Sequence, residues 1–160
     1  MMIKREIDEV VEEYSDILLR LALHHIHDYA QAQDIVQDTF IKYVYKAPEF
    51  NDQEHEKAWL IRVMTNLCKD YLKHWWQKKR VDSSCEDIQF QQEKYELLEI
   101  IRTLSFHQRN AVYLYYYEDM SIKDISQIFQ VSENTVSSWL FRARKSLKEL
   151  LKGEWENEKR

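Results

Sequence analysis

Glycine and proline are nearly absent from this chain: its 160 residues hold one of each, Gly153 and Pro48. Tight hairpins need glycine for positive φ and proline for a preset φ, so the chain is poorly supplied for an antiparallel sheet. Apolar residues instead recur at spacings of three and four, with no strong alternation. The expectation is an all-α protein. The same shortage removes the Gly-rich phosphate loops, and with them the enzymes that depend on such loops. With 44% hydrophobic and 32% charged residues the chain is neither disordered nor collagen-like, and its length suits one ordinary domain or two small ones.

From Ile7 onward, Val10, Val11, Tyr14, Ile17, Leu18, Leu21 and Ala22 predict an amphipathic helix ending near His27. Asp28 is placed to cap a second helix with Ala32, Ile35, Val36, Thr39, Phe40 and Tyr43 as its buried stripe. Pro48 stops that pattern, and residues 47–54 read as a loop. A third helix is expected from about His55 to Lys73 or beyond, with Trp59, Leu60, Val63, Met64, Leu67 and Tyr71 inward. Residues 81–92, VDSSCEDIQFQQ, read as a linker between a first domain, 1–80, and a second, 93–155. In the second domain, 93–104 carries Leu97, Leu98, Ile101 and Leu104. A helix over about 106–117 follows, with Ala111, Val112, Tyr115 and Tyr116 as core candidates. Then come Ile122–Phe129, a brief turn, and a helix capped by Ser132 with Val136, Leu140, Ala143, Leu147 and Leu150 inward. That arrangement fits a helix-turn-helix, and Ser126 is small enough to let its two helices approach.

Net charge is −5, which argues against a general nucleic-acid coating protein, but the average conceals a division. Residues 1–56 hold 5 Lys and Arg against 13 Asp and Glu, whereas residues 57–82 hold 7 against 2. Residues 83–120 hold 3 against 7, and residues 121–152 hold 6 against 3. Two basic segments separated by acidic ones suit a long anionic polymer on the former and a protein partner or solvent on the latter. Arg62, Asn66, Lys69 and Lys73 share one stripe of the third helix and lead into WWQKKR at 75–80. Trp75 or Trp76 is a candidate to stack on an exposed base, although tryptophans at a helix end also close cores. On the helix-turn-helix, Ser137, Ser138, Trp139 and Arg142 are candidates for the groove-facing side, with Arg144 and Lys145 near phosphate. Simple packing of a helix pair is the competing reading.

Other chemistry-like features are weak. His24, His25 and His27 lack the spacing and further ligands of a metal site, so no metal is expected. Asp34 and Asp38 share a helix face without a visible general acid/base partner. Cys68 and Cys85 form no repeated CxxC, there is no apolar run of membrane-spanning length, and the N-terminus does not open a signal core. A reduced cytoplasmic protein with no cofactor is expected.

The segments AQAQDIVQDTFIKYVY (30–45) and KAWLIRVMTNLCKDYLK (57–73), followed by Leu104, Arg109 and DMSIKDISQIFQVSENTVSSWLFRARKSLKEL (119–150), resemble the extracytoplasmic-function group of bacterial RNA polymerase sigma factors. The likeness runs over residues 10–151 in two blocks of the expected order. It implies a non-enzymatic sigma subunit that directs core polymerase to stress or cell-envelope promoters. Asp34, Ile35, Gln37 and Asp38 would grip the largest polymerase subunit. Residues 47–57 would capture a flipped base of the −10 element, beside a helix carrying Arg62, Asn66, Lys69, Asp70 and Lys73. Ser132, Asn134, Thr135, Ser137, Ser138, Trp139 and Arg142 would lie at the −35 recognition helix, with Arg144 close by. Residues 104–117 would engage the flap of the other large subunit. The resemblance also implies an anti-sigma partner that can hold the protein near the membrane. Ser105 stands at the family's usual proline, Asp119 and Gln130 stand at usual glycines, and Trp139 replaces a long polar group. Residues 153–160 are too few for the extra regulatory domain of some relatives. A helix-turn-helix regulator that never meets core polymerase, or a helical protein-interaction module, remains the alternative on the bare pattern.

Overall fold

The computed structural model describes residues 5–81 and 103–158, with side chains as far as Lys78 and from Thr103 to Lys152. Every regular element among them is helical. The chain divides into two compact units, Met1–Asp87 and Ile88–Arg160. The linker expected at 81–92 and the pattern at 93–104 fall outside the described residues, except that Val81 closes a helix and Leu104 is buried before the next one.

The first unit holds three helices, α1 Ile7–Leu23, α2 Tyr29–Lys46 and α3 Gln53–Val81, each packed on the other two. Asp8 and Glu9 lie at the positive end of the α1 dipole and Arg20 lies in its last turn. The α1 stripe is buried as its spacing predicts, apart from Val11, which is half-buried. The helix stops a turn short of His27: the amides of His25 and Ile26 both bond back to the Ala22 carbonyl, at 3.0 and 2.8 Å. Asp28 caps α2 by accepting from the Ala30 and Gln31 amides at 3.0 and 3.4 Å. All six expected α2 positions are buried, and the helix ends at Ala47, held extended ahead of Pro48.

In α3 the buried stripe is rotated from the expected one. Trp59, Leu60 and Met64 are inside as predicted, but Ile61, Thr65 and Cys68 are fully buried while Val63, Leu67 and Tyr71 are only partly so. Thr65 and Cys68 are small enough to let α3 approach α1 and α2 closely, and the Thr65 hydroxyl is satisfied by the Arg62 carbonyl at 3.0 Å. Large apolar side chains drew the expectation about one residue too far round the helix. Burial pushes the Cys68 thiol up to about 12, so it is a small core residue packed on Met64 and not a nucleophile.

The second unit contains α4 Phe106–Val112, a π-helical turn Tyr113–Tyr117, α5 Ile122–Phe129 and α6 Glu133–Glu158. Ser105 and Gln108 form a capping box at α4, so serine serves well at a proline position. The wider π turn shifts the side-chain register of the helix end. Tyr113 and Leu114 are therefore buried, Tyr115 is half-buried, and Tyr116, expected inside, is 50% exposed. Ser121 and Asp124 box the start of α5. Ile125, Ser126, Ile128, Val136, Leu140 and Ala143 form the buried seam of the helix pair. Leu147 is half-buried and Leu150, expected inward, is exposed. Gln130 ends α5 in the left-handed region at φ 55, ψ 45, and Asp119 ahead of α5 has φ 50. Both residues standing at glycine positions thus take glycine's conformation, which costs each about 1 kcal/mol.

Candidate nucleic-acid interface

On α3, Asn66, Lys69, Asp70 and Lys73 are exposed and Arg62 is half-buried, all on the side turned away from the rotated core. Further along, Trp75 and Trp76 meet edge to face at 5.2 Å, and Trp76 is 59% exposed. The sequence expectation that this helix shows an apolar side to its own unit and a mainly cationic side outward matches the placement. Lys79 and Arg80 lie outside the described side chains.

The loop ahead of α3 is shorter than expected, residues 47–52, because Asp52 caps α3 by accepting from the His55 amide at 2.7 Å. Its middle residue, Phe50, is buried and stacks on Tyr43 at 5.9 Å, with Trp59 and His55 edge-on at 5.9 and 5.2 Å. Pro48, Glu49, Asn51 and Asp52 are exposed around this anchor. A polar loop pinned from beneath presents its tips in a fixed shape.

Beneath the loop lies a polar network that sequence reasoning missed. Glu56, in the first turn of α3, is 2% exposed. Its Oε1 accepts from Arg5 Nε at 3.1 Å and from Arg5 Nη2, and its Oε2 accepts from the Tyr43 hydroxyl at 2.8 Å. Arg5 also pairs with Glu13 at 2.6 Å and lies 5.6 Å over the Tyr14 ring. The hydrogen bond that Arg5 donates to Glu56 raises the Arg5 pKa further above its ordinary value, and burial pushes the Tyr43 phenol up to about 12. A carboxylate next to Lys57 at the start of an expected helix reads as solvated, so nothing in the pattern pointed to this pair.

On α2, Asp34, Gln37 and Asp38 are exposed, whereas Ile35, 6% exposed, lies in the core as its helical stripe predicts and offers little of its side chain to the outer face. Its i, i+4 neighbour Thr39 faces the same way and bonds to the Ile35 carbonyl at 2.8 Å. Beside Asp34 and Gln37 runs an open groove of about 560 Å³ between α1 and α2, lined by Val11, Leu19, Phe40, Ile41 and Val44. The sequence reading found the acidic rim of this groove and missed its apolar floor.

On the helix-turn-helix, the Ser132 hydroxyl caps α6 by accepting from the Thr135 amide at 3.1 Å. Ser132, Asn134, Ser137, Ser138 and Arg142 are exposed and Thr135 is half-buried. Trp139 departs from the expected groove-facing placement. Its ring stacks on His107 at 4.7 Å and 8° and meets Phe129 edge-on at 6.1 Å, so α4, α5 and α6 share one aromatic cluster. Arg144 likewise turns to its own unit, where Nε donates to the Tyr116 hydroxyl and the guanidinium lies 5.7 and 5.5 Å over the Tyr115 and Tyr116 rings. Rings supplied by α4 and the π turn, far back in the sequence, captured both side chains. Next to Arg144, an open groove of about 520 Å³ is lined by Val112, Tyr116, Tyr117, Leu147 and Leu151.

Among the described residues no three His, Cys, Asp or Glu side chains are grouped to hold a metal ion, and no helix is long and apolar enough to cross a membrane. Residues 10–77 match the family profile of sigma-70 region 2, and residues 94–147 match sigma-70 region 4. The ECF RNA polymerase sigma factor SigM of Bacillus subtilis is 32% identical over 90% of this chain and 94% of its own length. The chain belongs to the ECF RNA polymerase sigma factors. The sigma-H factor of Pseudomonas aeruginosa is 28% identical over 92% of the chain and 87% of its own length. Among solved structures, the sigma factor RpoE of Bartonella quintana, in complex with the anti-sigma factor NepR, has a TM-score of 0.75 at 24% identity, over 91% and 96% of the two chains. That likeness confirms the all-α architecture of two small helical domains. This protein is an RNA polymerase sigma subunit, and the regulator and interaction-module alternatives are not favoured.

Proposed function

We propose that this sigma factor recruits core RNA polymerase through the acidic-rimmed groove of α1 and α2 and opens promoters by binding alone. Asp34, Gln37 and Asp38 suit a basic partner surface, and Ile41 and Val44 add apolar area beside them. The 47–52 loop takes a base that has left the stack, and Arg62, Asn66, Lys69 and Lys73 hold the adjoining strand. Capturing a base already out of the duplex offsets the few kcal/mol that unstacking costs. No bond of the nucleic acid is broken, so no catalytic residue is assigned.

The second unit reads the −35 element through the exposed N-terminal part of α6. Ser132, Asn134, Ser137 and Ser138 are short enough for close approach to base edges or phosphates, and Arg142 supplies charge. Trp139 shapes the helix from behind, and Arg144 reaches phosphate only by leaving its tyrosines. Linking two modest DNA contacts through polymerase selects promoters of one spacing. The protein works in the cytoplasm, and an anti-sigma protein covers its apolar grooves before activation, as the complexes of its structural neighbours support.

The observation that carries this reading is the pairing, in one chain, of a pinned loop beside a cationic helix with a capped helix-turn-helix. Transcription by purified core polymerase from a promoter library is expected to become sequence-selective when the protein is added. Unselective initiation, or no binding to core, would overturn the proposal.

A further inference from the structure

The Arg5–Glu56–Tyr43 network lies at both ends of the 47–52 loop. Tyr43 is in the last turn of α2, and Glu56 is in the first turn of α3. The Tyr43 hydroxyl and the Arg5 guanidinium meet on one carboxylate, so the two helix ends are tied across the loop's base. The Tyr43 ring also carries the stacked Phe50, which pins the loop's middle. Arg5 comes from the segment ahead of α1 and is fastened a second time to Glu13. A surface ion pair would add little order, but here the carboxylate is buried and each of its oxygens has a donor. A shared partner of this kind has one arrangement that satisfies it. The loop therefore meets DNA already shaped, without ordering cost at the moment of binding.

We propose that Arg5, Glu56 and Tyr43 are positioning residues for promoter opening, setting the 47–52 loop in its base-capturing shape before the DNA arrives. None of the three needs to touch DNA: Glu56 and Tyr43 are buried, and Arg5 acts through Glu56. The inference rests on the reading of this loop as the base-capturing element. It adds that the segment before α1 takes part in opening, although that segment is remote in sequence from the basic stripe.

The test uses the full chain with core polymerase on one promoter, in duplex and premelted form. The variants are Arg5→Met, Arg5→Lys and Tyr43→Phe, together with a loop-tip variant combining Glu49→Ala and Asn51→Ala. Core affinity and the −35 footprint are expected to stay within about twofold of the parent. If Arg5→Met leaves the loop competent about a tenth of the time, permanganate-detected opening and binding to the premelted template fall about tenfold. Arg5→Lys is expected to recover part of the loss, and Tyr43→Phe, which keeps the ring stack and removes one donor, to show a smaller one.

Wild-type opening in Arg5→Met and Tyr43→Phe, beside impaired opening in the loop-tip variant, overturns the positioning role and leaves the loop reading standing. Unimpaired opening in the loop-tip variant overturns the loop reading, and the inference with it. Equal losses of core binding and opening would show a purely structural network and overturn the inference. Should Arg5→Met fail to fold by circular dichroism, Arg5→Lys and Tyr43→Phe carry the same comparison.

Discussion

In the first unit a side chain ahead of α1 reaches the start of α3, 51 residues away, and the carboxylate it meets is buried. In the second, Arg144 reaches back 28 residues to Tyr116, and the contact lies at the surface. The first unit fixes the 47–52 loop with an ion pair on a buried carboxylate and a stacked phenylalanine. The second fixes its helix pair mainly with local devices, serine caps at three helix starts and two non-glycine residues in the left-handed region, beside one ring cluster that joins Trp139 to His107 of α4. The contrast teaches that a loop must be held from its surroundings, because it has no internal hydrogen-bond ladder. A short helix can be held at its own ends.

Alkaline titration should break the comparison most strongly. Burial raises the Cys68 thiol from 9.0 to about 12 and the Tyr43 phenol from 10.0 to about 12, and it raises Tyr14 and Tyr71 in the same direction. All four lie in the first unit. The folded state holds these protons more tightly than the unfolded chain does. Their stabilisation is therefore complete below about pH 9 and is lost as pH rises toward 12. The first unit is expected to open in that window, which iodoacetamide labelling of Cys68, mapped by mass spectrometry beside circular dichroism, would detect. Cys68 protected throughout the loss of helicity would contradict it.

Glu56→Ala comes next. Removing the buried carboxylate leaves part-buried Arg5 with Glu13 alone and the buried Tyr43 hydroxyl without this acceptor, and the expected cost is about 2 kcal/mol. Urea unfolding would measure it. A cost below about 1 kcal/mol would show that the pair has the small worth of a surface one.

The smallest effects belong to the second unit and differ in sign. Ser121→Ala removes a cap and should cost about 1 kcal/mol, whereas Gln130→Gly relieves a left-handed residue and should gain somewhat less than about 1 kcal/mol. Thermal unfolding of the two variants should move in opposite directions. A Gln130→Gly variant that melts earlier would show that the glutamine side chain supports the turn.

Much of the fold was legible from neighbours in sequence. The cap at Asp28, the stop at Pro48, the α5 span Ile122–Phe129 and the cap at Ser132 depend on groups within one turn, so short-range pattern suffices for them. The exposed stripe Asn66, Lys69, Lys73 follows from helical period alone.

The tertiary structure decided the placements set by partners far along the chain. The α3 stripe is rotated because small Thr65 and Cys68 allow close approach to α1 and α2. Trp139 and Arg144 lie against their own unit because rings from α4 and the π turn stand beside them. Glu56 is buried because Arg5 and Tyr43 arrive from two other segments to satisfy it. Period and capping are properties of a few consecutive residues, whereas burial of a charge or a ring depends on what another segment brings, and no local spacing records that.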